Sequence, residues 1–343
     1  MEQIKISDGV KLKVDIISDQ GVFLLPKDTV LTEEHIELLR KHRYQLTDKD
    51  IYTESEQPQN TYKKDVDLSV IEDATKVFKT IFDEVRYSNK LPFDEIKQNI
   101  LPVIAESTEH RNYFELLHAL QAKDDYTYRH NIGVAVISTI LGKWLGFDDE
   151  ELSHLTTAAL LHDVGKMKVS EHILHKPGKL TKAEFEEMMQ HTVYGYELLK
   201  ETPGVSERTA VVALQHHERE DGGGYPYGLK GDRLDYFSKI VAVADVFHAM
   251  TSKRVYQDPL PFYEAVNQLR QDELGRLHPK IVNTFLNKTL DTLVGKDVLL
   301  STGERGKVLL VNPNHPSRPL VQVNDKFIDL SKDKQLHLMQ VLH

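Results

Sequence analysis

The residues of this chain best suited to chemistry are its histidines and the carboxylates beside them. Of 17 histidines, ten lie between His110 and His217. Clustering of that kind points to metal ligation or acid–base work. The run Leu160-Leu161-His162-Asp163-Val164-Gly165-Lys166 sets a His–Asp pair at the end of an apolar helical stripe of Leu152, Leu155 and Ala159. Gly165 can stop that helix. Neighbouring helical side chains point about 100° apart, so the pair converges on one ion only near a helix end. Imidazole with carboxylate suits iron, manganese or zinc. Taken alone, such a pair is more often a satisfied histidine beside a turn. A second run, Gln215-His216-His217-Glu218-Arg219-Glu220-Asp221-Gly222-Gly223-Gly224-Tyr225-Pro226, joins two histidines to a triple glycine. Such glycines let backbone approach a ligand closely.

The elements that must position these residues are mostly helical. Residues 1–54 read as a small α/β module, with an alternating run Lys11–Ile17, a short apolar run Gly21–Leu25 and a helix carrying Ile36 and Leu39. Residues 55–65 are polar and read as a linker. Residues 66–122 form a helical connecting segment, opened by a stripe of Val70, Ala74, Val77, Phe78, Ile81 and Val85 and including a helix through Leu116, Leu117 and Leu120. That stripe could serve the core or pair with a copy of the chain as a homodimer. Helical patterns follow at 128–145, 149–162, 182–200, 206–217, 237–250, 261–270 and 279–290. From residue 292 to 343 short β-rich runs take over, at 298–300, 306–311, 319–323 and 327–330, with 312–317 read as a loop. The fold class is therefore mainly α, with a small α/β module before the helices and a small β unit after them.

Composition removes several functions. There is no cysteine, which excludes disulfides, thiolate metal sites and cysteine nucleophiles. The net charge of -10 argues against a nucleic acid polymer as partner, since that binding depends on clustered cations. The apolar run 132–145 is too short for a membrane span and carries Lys143. The N-terminus lacks an apolar signal core, so a cytoplasmic protein is expected.

Read together, the motifs resemble the HD-GYP branch of the HD phosphohydrolase superfamily. His162-Asp163, His216-His217-Glu218 and Asp221-Gly-Gly-Gly-Tyr-Pro226 carry the likeness. It extends through Asp125–His130, Leu174–Thr181, His191 with Gly195, and Ala244-Asp-Val-Phe-His-Ala-Met-Thr-Ser-Lys-Arg254. The resemblance implies an all-helical HD-type catalytic domain, placed at 123–291. It implies metal ligands at His130, His162, Asp163, His191, His216, His217 and Asp245, with Asp163 bridging two divalent ions, iron or manganese. His130 and His191 alone would read as ordinary polar-face residues. Asp245 is more telling, because a carboxylate inside the apolar run Ile240–Val246 needs a partner. The likeness further implies that Asp163 and Lys166 are catalytic, and that Lys166, Gly224, Tyr225 and Arg254 contact substrate. Without it, Lys166 would simply complement a helix C-terminus.

The activity implied is hydrolysis of cyclic di-GMP to pGpG, and on to GMP, by a hydroxide bridging the two metals. Three alternatives remain open: the same chemistry on 3′,3′-cyclic GMP-AMP, action on another phosphoester, or a non-hydrolysing, nucleotide-responsive scaffold. The chain departs from the family in places. Tyr126 stands where some members place a third-metal glutamate, so two metals are expected. Arg254-Val-Tyr-Gln257 replaces Arg-Pro-Tyr-Lys, and Gly275-Arg-Leu-His-Pro279 stands where Phe-Asp-Pro is usual, with His278 expected to be structural.

Overall fold

In the computed structural model of the chain, the residues described are 10, 12–14, 16–18, 23–25, 29, 31, 33–47, 49–52, 68–109, 116, 120, 126–252, 259–273, 275–312, 315–333 and 335–342. The chain divides into two units, 1–64 and 65–343. The expected linker, most of the helix around Leu117, Asp125 and the whole of Lys253–Asp258, Arg254 included, lie outside the described residues.

In the first unit, strands β1 (Ile16–Ile17) and β2 (Phe23–Leu25) pair antiparallel beside a helix at Glu33–Lys41. Leu12, Ile16, Leu25, Leu31, Leu39 and Ile51 form its core. This is the α/β module anticipated from the sequence.

The second unit is mainly α. Helices Leu68–Ser88, Phe93–Asn99 and Leu101–Ser107 lead into those that carry the site: Tyr126–Leu145, Asp149–Leu161, His191–Glu201, Glu207–Gln215 and Tyr236–Thr251. Helices Phe262–Asp272 and Pro279–Asp291 follow. Local chemistry fixes many of their starts. Asp148 and Glu151 form a reciprocal capping box ahead of Asp149–Leu161, Thr181 and Glu184 form another, and Ser206 and Asp235 cap the next two helices. Each cap satisfies donors a helix start leaves without an internal partner.

One helix differs from expectation. The stretch 182–200 is broken, with one helix at Lys182–Met189 and a second opening at His191. The Gln190 amide bonds back only as far as Glu187 O, a tight turn that interrupts the ladder. His191 thereby stands at a helix junction and not in mid-helix.

The C-terminal strands are β3 (Asp297–Leu300), β4 (Arg305–Asn312), β5 (His315–Val323), β6 (Lys326–Asp329) and β7 (Leu338–Val341). They form one antiparallel sheet in the order β6-β5-β4-β3-β7. Of the segment read as a loop at 312–317, the described residues 312 and 315–317 are strand, with Asn312 paired to His315. Register shifts on β4 between Val308 and Asn312 accommodate a β5 that contains Pro319, which cannot donate to the ladder. Strand β7 was not anticipated. Val298, Leu300, Val308, Val321 and Val323 share one core with Phe285, Leu286 and Leu293 of the helical layer. Among the described residues no helix is long and apolar enough to cross a membrane.

Candidate metal centre

Six of the seven expected ligands are buried, and His217 is mostly so. They form two groups whose ligand atoms lie within 4.8 Å of one another: Asp163, His191, His216 and His217, and then His130, His162 and Asp245. Asp163 faces both. Its Oδ1 is 3.2 Å from His191 Nε2 and 3.6 Å from His216 Nε2, while its Oδ2 is 3.5 Å from His162 Nε2 and 3.9 Å from His130 Nε2. Asp245 reaches His130 Nε2 with Oδ1 at 3.0 Å, and its Oδ2 lies 3.9 Å from His217 Nδ1.

Helix ends explain much of this convergence. His162 follows the last residue of Asp149–Leu161, and its Nδ1 is 2.6 Å from Ala159 O. His216 follows Glu207–Gln215, with Nδ1 2.9 Å from Ala213 O. His191 follows the Lys182–Met189 helix, with Nδ1 2.7 Å from Met188 O. Each imidazole donates Nδ1–H to the carbonyl three residues back, one that a terminating helix leaves spare. That fixes the tautomer and turns a bare Nε2 inward.

Asp163 has φ -100° and ψ 9° at the mouth of a 3₁₀ turn, Val164–Lys168, a backbone region often used by active-site residues. The turn lies backbone-to-backbone on the His191 helix. A Cβ added at Gly165 would stand 1.9 Å from His191 O and 2.4 Å from Gly195 N. Gly165 does not stop the helix, which already ends at Leu161; inside the turn it instead lets Asp163 seat against His191. Lys166 Nζ bonds Asp163 Oδ2 from the same turn.

The electrostatics suit cation binding. Burial pushes His162 down to about 3, against an upward pull from Asp163. Burial also lowers His191 and His217, the latter helped by its neighbour His216. For Asp163 and Asp245 burial alone would raise the pKa, but it is outweighed. Lys166 and His162 hold Asp163 well below the usual carboxylate range, and His130 and His217 do so for Asp245. Neutral imidazoles and ionised carboxylates are the forms that bind metal. The lone pairs of His162 and His191 therefore face the ionised Asp163, and His162 Nε2 and Asp163 Oδ1 are buried without a hydrogen-bond partner. Such a pocket is costly unless a cation fills it, so the donor set fits divalent metal.

The glycine-rich loop sits beside this pocket. Tyr225 stacks on His217 with ring centres 4.6 Å apart, and its N–H donates to His217 O at 3.2 Å. Burial, then the charges of Asp245 and Asp163, push its phenol up and keep it protonated. A Cβ at Gly224 would fall 2.4 Å from Glu218 Cα and 2.4 Å from His217 O, so glycine lets the loop lie on that backbone. Glu218 was part of the motif but given no role in the sequence reading. Its buried carboxylate accepts Tyr227 N–H at 2.8 Å and Leu229 N–H at 2.9 Å, pinning the loop. His278 is partly buried and outside both ligand groups.

Comparison with known proteins agrees with this picture. A family model described as "HD domain" matches residues 115–281. A cyclic di-GMP phosphodiesterase of Pseudomonas aeruginosa is 34% identical over 67% of this chain and 54% of its own length. A cyclic di-GMP phosphodiesterase of Thermotoga maritima is 39% identical over 52% of this chain and 50% of its own. A 3′3′-cGAMP-specific phosphodiesterase of Vibrio cholerae is 34% identical over 58% of this chain and 38% of its own. The chain thus spans about half the length, or less, of these curated relatives. Among solved structures, an HDG"Y"P protein from Bdellovibrio bacteriovorus superposes with a TM-score of 0.52 at 16% identity, covering 84% of this chain and 97% of that one, a likeness of fold. With the buried His–Asp pair at a helix end, the inward histidines and the Gly-Tyr-Pro loop in place, residues 115–281 belong to the HD domain family, and their motifs resemble its HD-GYP branch.

Proposed function

We propose that this chain hydrolyses cyclic di-GMP to pGpG, and on to GMP, using two divalent metal ions. The observation that carries the reading is the pair of side-chain groups, four residues and three, in each of which imidazole nitrogens and carboxylate oxygens lie within 4.8 Å of one another. Asp163 would bridge the two ions, one held with His191, His216 and His217, the other with His130, His162 and Asp245. Iron or manganese suits this N/O set. Ions bound there supply Lewis acidity toward a phosphodiester and lower the pKa of water.

The chain's own residues do the rest. Lys166, anchored on Asp163, steadies the scissile phosphate as a point charge. Tyr225, kept protonated, offers a hydrogen bond to a substrate oxygen while its ring braces His217. Arg254 follows from the motif alone, as a contact to phosphate or guanine edge. Residues 123–291 would form the catalytic domain, and a cyclic dinucleotide substrate would place it in the cytoplasm. A second reading, 3′,3′-cyclic GMP-AMP as substrate, is favoured by relatives of both specificities at the same 34% identity.

The test counts metals per chain in protein prepared anaerobically with iron or manganese, and follows both nucleotides by chromatography. About two metals with pGpG or GMP formed is the expected result, and the faster substrate names the role. The double variant His162→Ala, Asp163→Ala should lose metal and turnover while keeping its helical circular dichroism. Full activity in that variant would sink the dinuclear mechanism.

A further inference from the structure

One expected histidine ligand is not placed at a helix end as His162, His191 and His216 are. His130 lies inside helix Tyr126–Leu145, where backbone carbonyls are already engaged in the i to i-4 ladder. It therefore has no terminal carbonyl behind it of the kind a helix end leaves over. Its Nδ1 instead lies 3.0 Å from Nδ1 of His248, a buried histidine outside both ligand groups. The other ring nitrogen, Nε2, is 3.0 Å from Asp245 Oδ1. Asp245 and His248 are three residues apart on helix Tyr236–Thr251, so they share a face. One helix thereby touches both nitrogens of a histidine belonging to another.

The opposing helix is shaped to admit this contact. Gly133 lies three residues after His130, on the same face, and a Cβ there would stand 2.1 Å from His248 Nε2. Any side chain at 133 would expel the His248 ring. His248 is also steadied from its own helix end, with Ser252 Oγ 3.2 Å from Nδ1 and 3.4 Å from Nε2.

We propose that His248 is a positioning residue for the metal centre: its Nδ1 accepts the Nδ1–H of His130 and fixes the tautomer that presents His130 Nε2 inward. It replaces, with a side chain, the carbonyl that helix ends provide to His162, His191 and His216. The inference rests on the metal reading above, and asks which residue orients the one mid-helix imidazole. Partners of this kind typically change metal affinity about 10- to 100-fold when removed.

The test uses the full chain, stripped of metal and titrated with Mn²⁺ and, separately, Co²⁺ by equilibrium dialysis, with the cobalt visible spectrum recorded. His248→Ala should bind its first metal like the wild type and the second about 10- to 100-fold more weakly, with a changed cobalt spectrum. His248→Asn puts an amide oxygen where Nδ1 was and should recover affinity to within about threefold. Gly133→Ala should resemble His248→Ala. Unchanged affinity and spectrum in His248→Ala would overturn the assignment. So would His248→Asn binding as poorly as His248→Ala, since the role would then be packing alone. A wild type that binds no metal would remove the metal reading itself, and the positioning role with it.

Discussion

The two groups of side chains that meet at Asp163 are built in different ways. His191 and His216 sit just past helix ends, where spare carbonyls hold their rings, and His217 follows directly on His216. His130 and Asp245 lie inside long helices and meet side chain to side chain, with His248 beside His130 in the gap that Gly133 leaves. His162 belongs with His130 and Asp245 in space but is held like the first group. A helix end thus orients a ligand at no extra cost in sequence, whereas a mid-helix ligand needs a dedicated partner. The first group should tolerate surface change and fail when its backbone contacts are disturbed. The second should fail when single side chains are removed.

The sharpest way to break the first group is Gly165→Ala. The added Cβ meets backbone atoms of His191 and Gly195, which cannot rotate away, so the 3₁₀ turn must lift from the helix. Overpacking of this kind costs about 3 kcal/mol, or a fall of roughly 6–12 °C in Tm for a unit of this size. Metal content should drop with it. An unchanged Tm in calorimetry would mean that this backbone contact does not hold Asp163 in place.

Lys166→Ala probes the point where the groups join. Its ammonium touches Asp163 Oδ2, yet it can donate only and cannot ligate metal. We expect turnover to fall by about 10²-fold or more, the scale of losing one preorganised charge contact, with metal content nearly unchanged. Co-loss of metal would make Lys166 a support for Asp163 and not a contact to phosphate.

The same division decides what could be read in the sequence. His162-Asp163 before a glycine and His216-His217 before a triple glycine are adjacent in the chain, so their pattern is visible locally. Asp245 is visible because a carboxylate in an apolar run demands a partner. His130 and His191 carry no such mark, and only the family resemblance singles them out. The His191 junction was missed because an apolar period continues across Gln190 while the hydrogen-bond ladder does not. His248 and Gly133 were missed although a signal exists: each lies three residues after an expected ligand, on the same helical face. Their meaning depends on how two distant helices cross, which periodicity does not report. In the sheet, β7 is only Leu338–Val341 and gains its identity by pairing with β3, a contact no local pattern announces.

The smallest effect should come from the far end of the helix that delivers His162. Asp148 caps Asp149–Leu161 by accepting Glu151 N–H at 2.9 Å, and the Glu151 carboxylate returns to Asp148 N–H. Both residues are exposed. Asp148→Ala should cost about 1 kcal/mol, or about 2–4 °C in Tm. Metal stoichiometry and affinity should remain those of the wild type, because the ring of His162 is set by Ala159 O at the opposite end. Fraying that reached the centre would show as weaker binding of the metal held with His130 and Asp245. In that case a helix end would not be a self-sufficient support, and the contrast between the two groups would be one of degree.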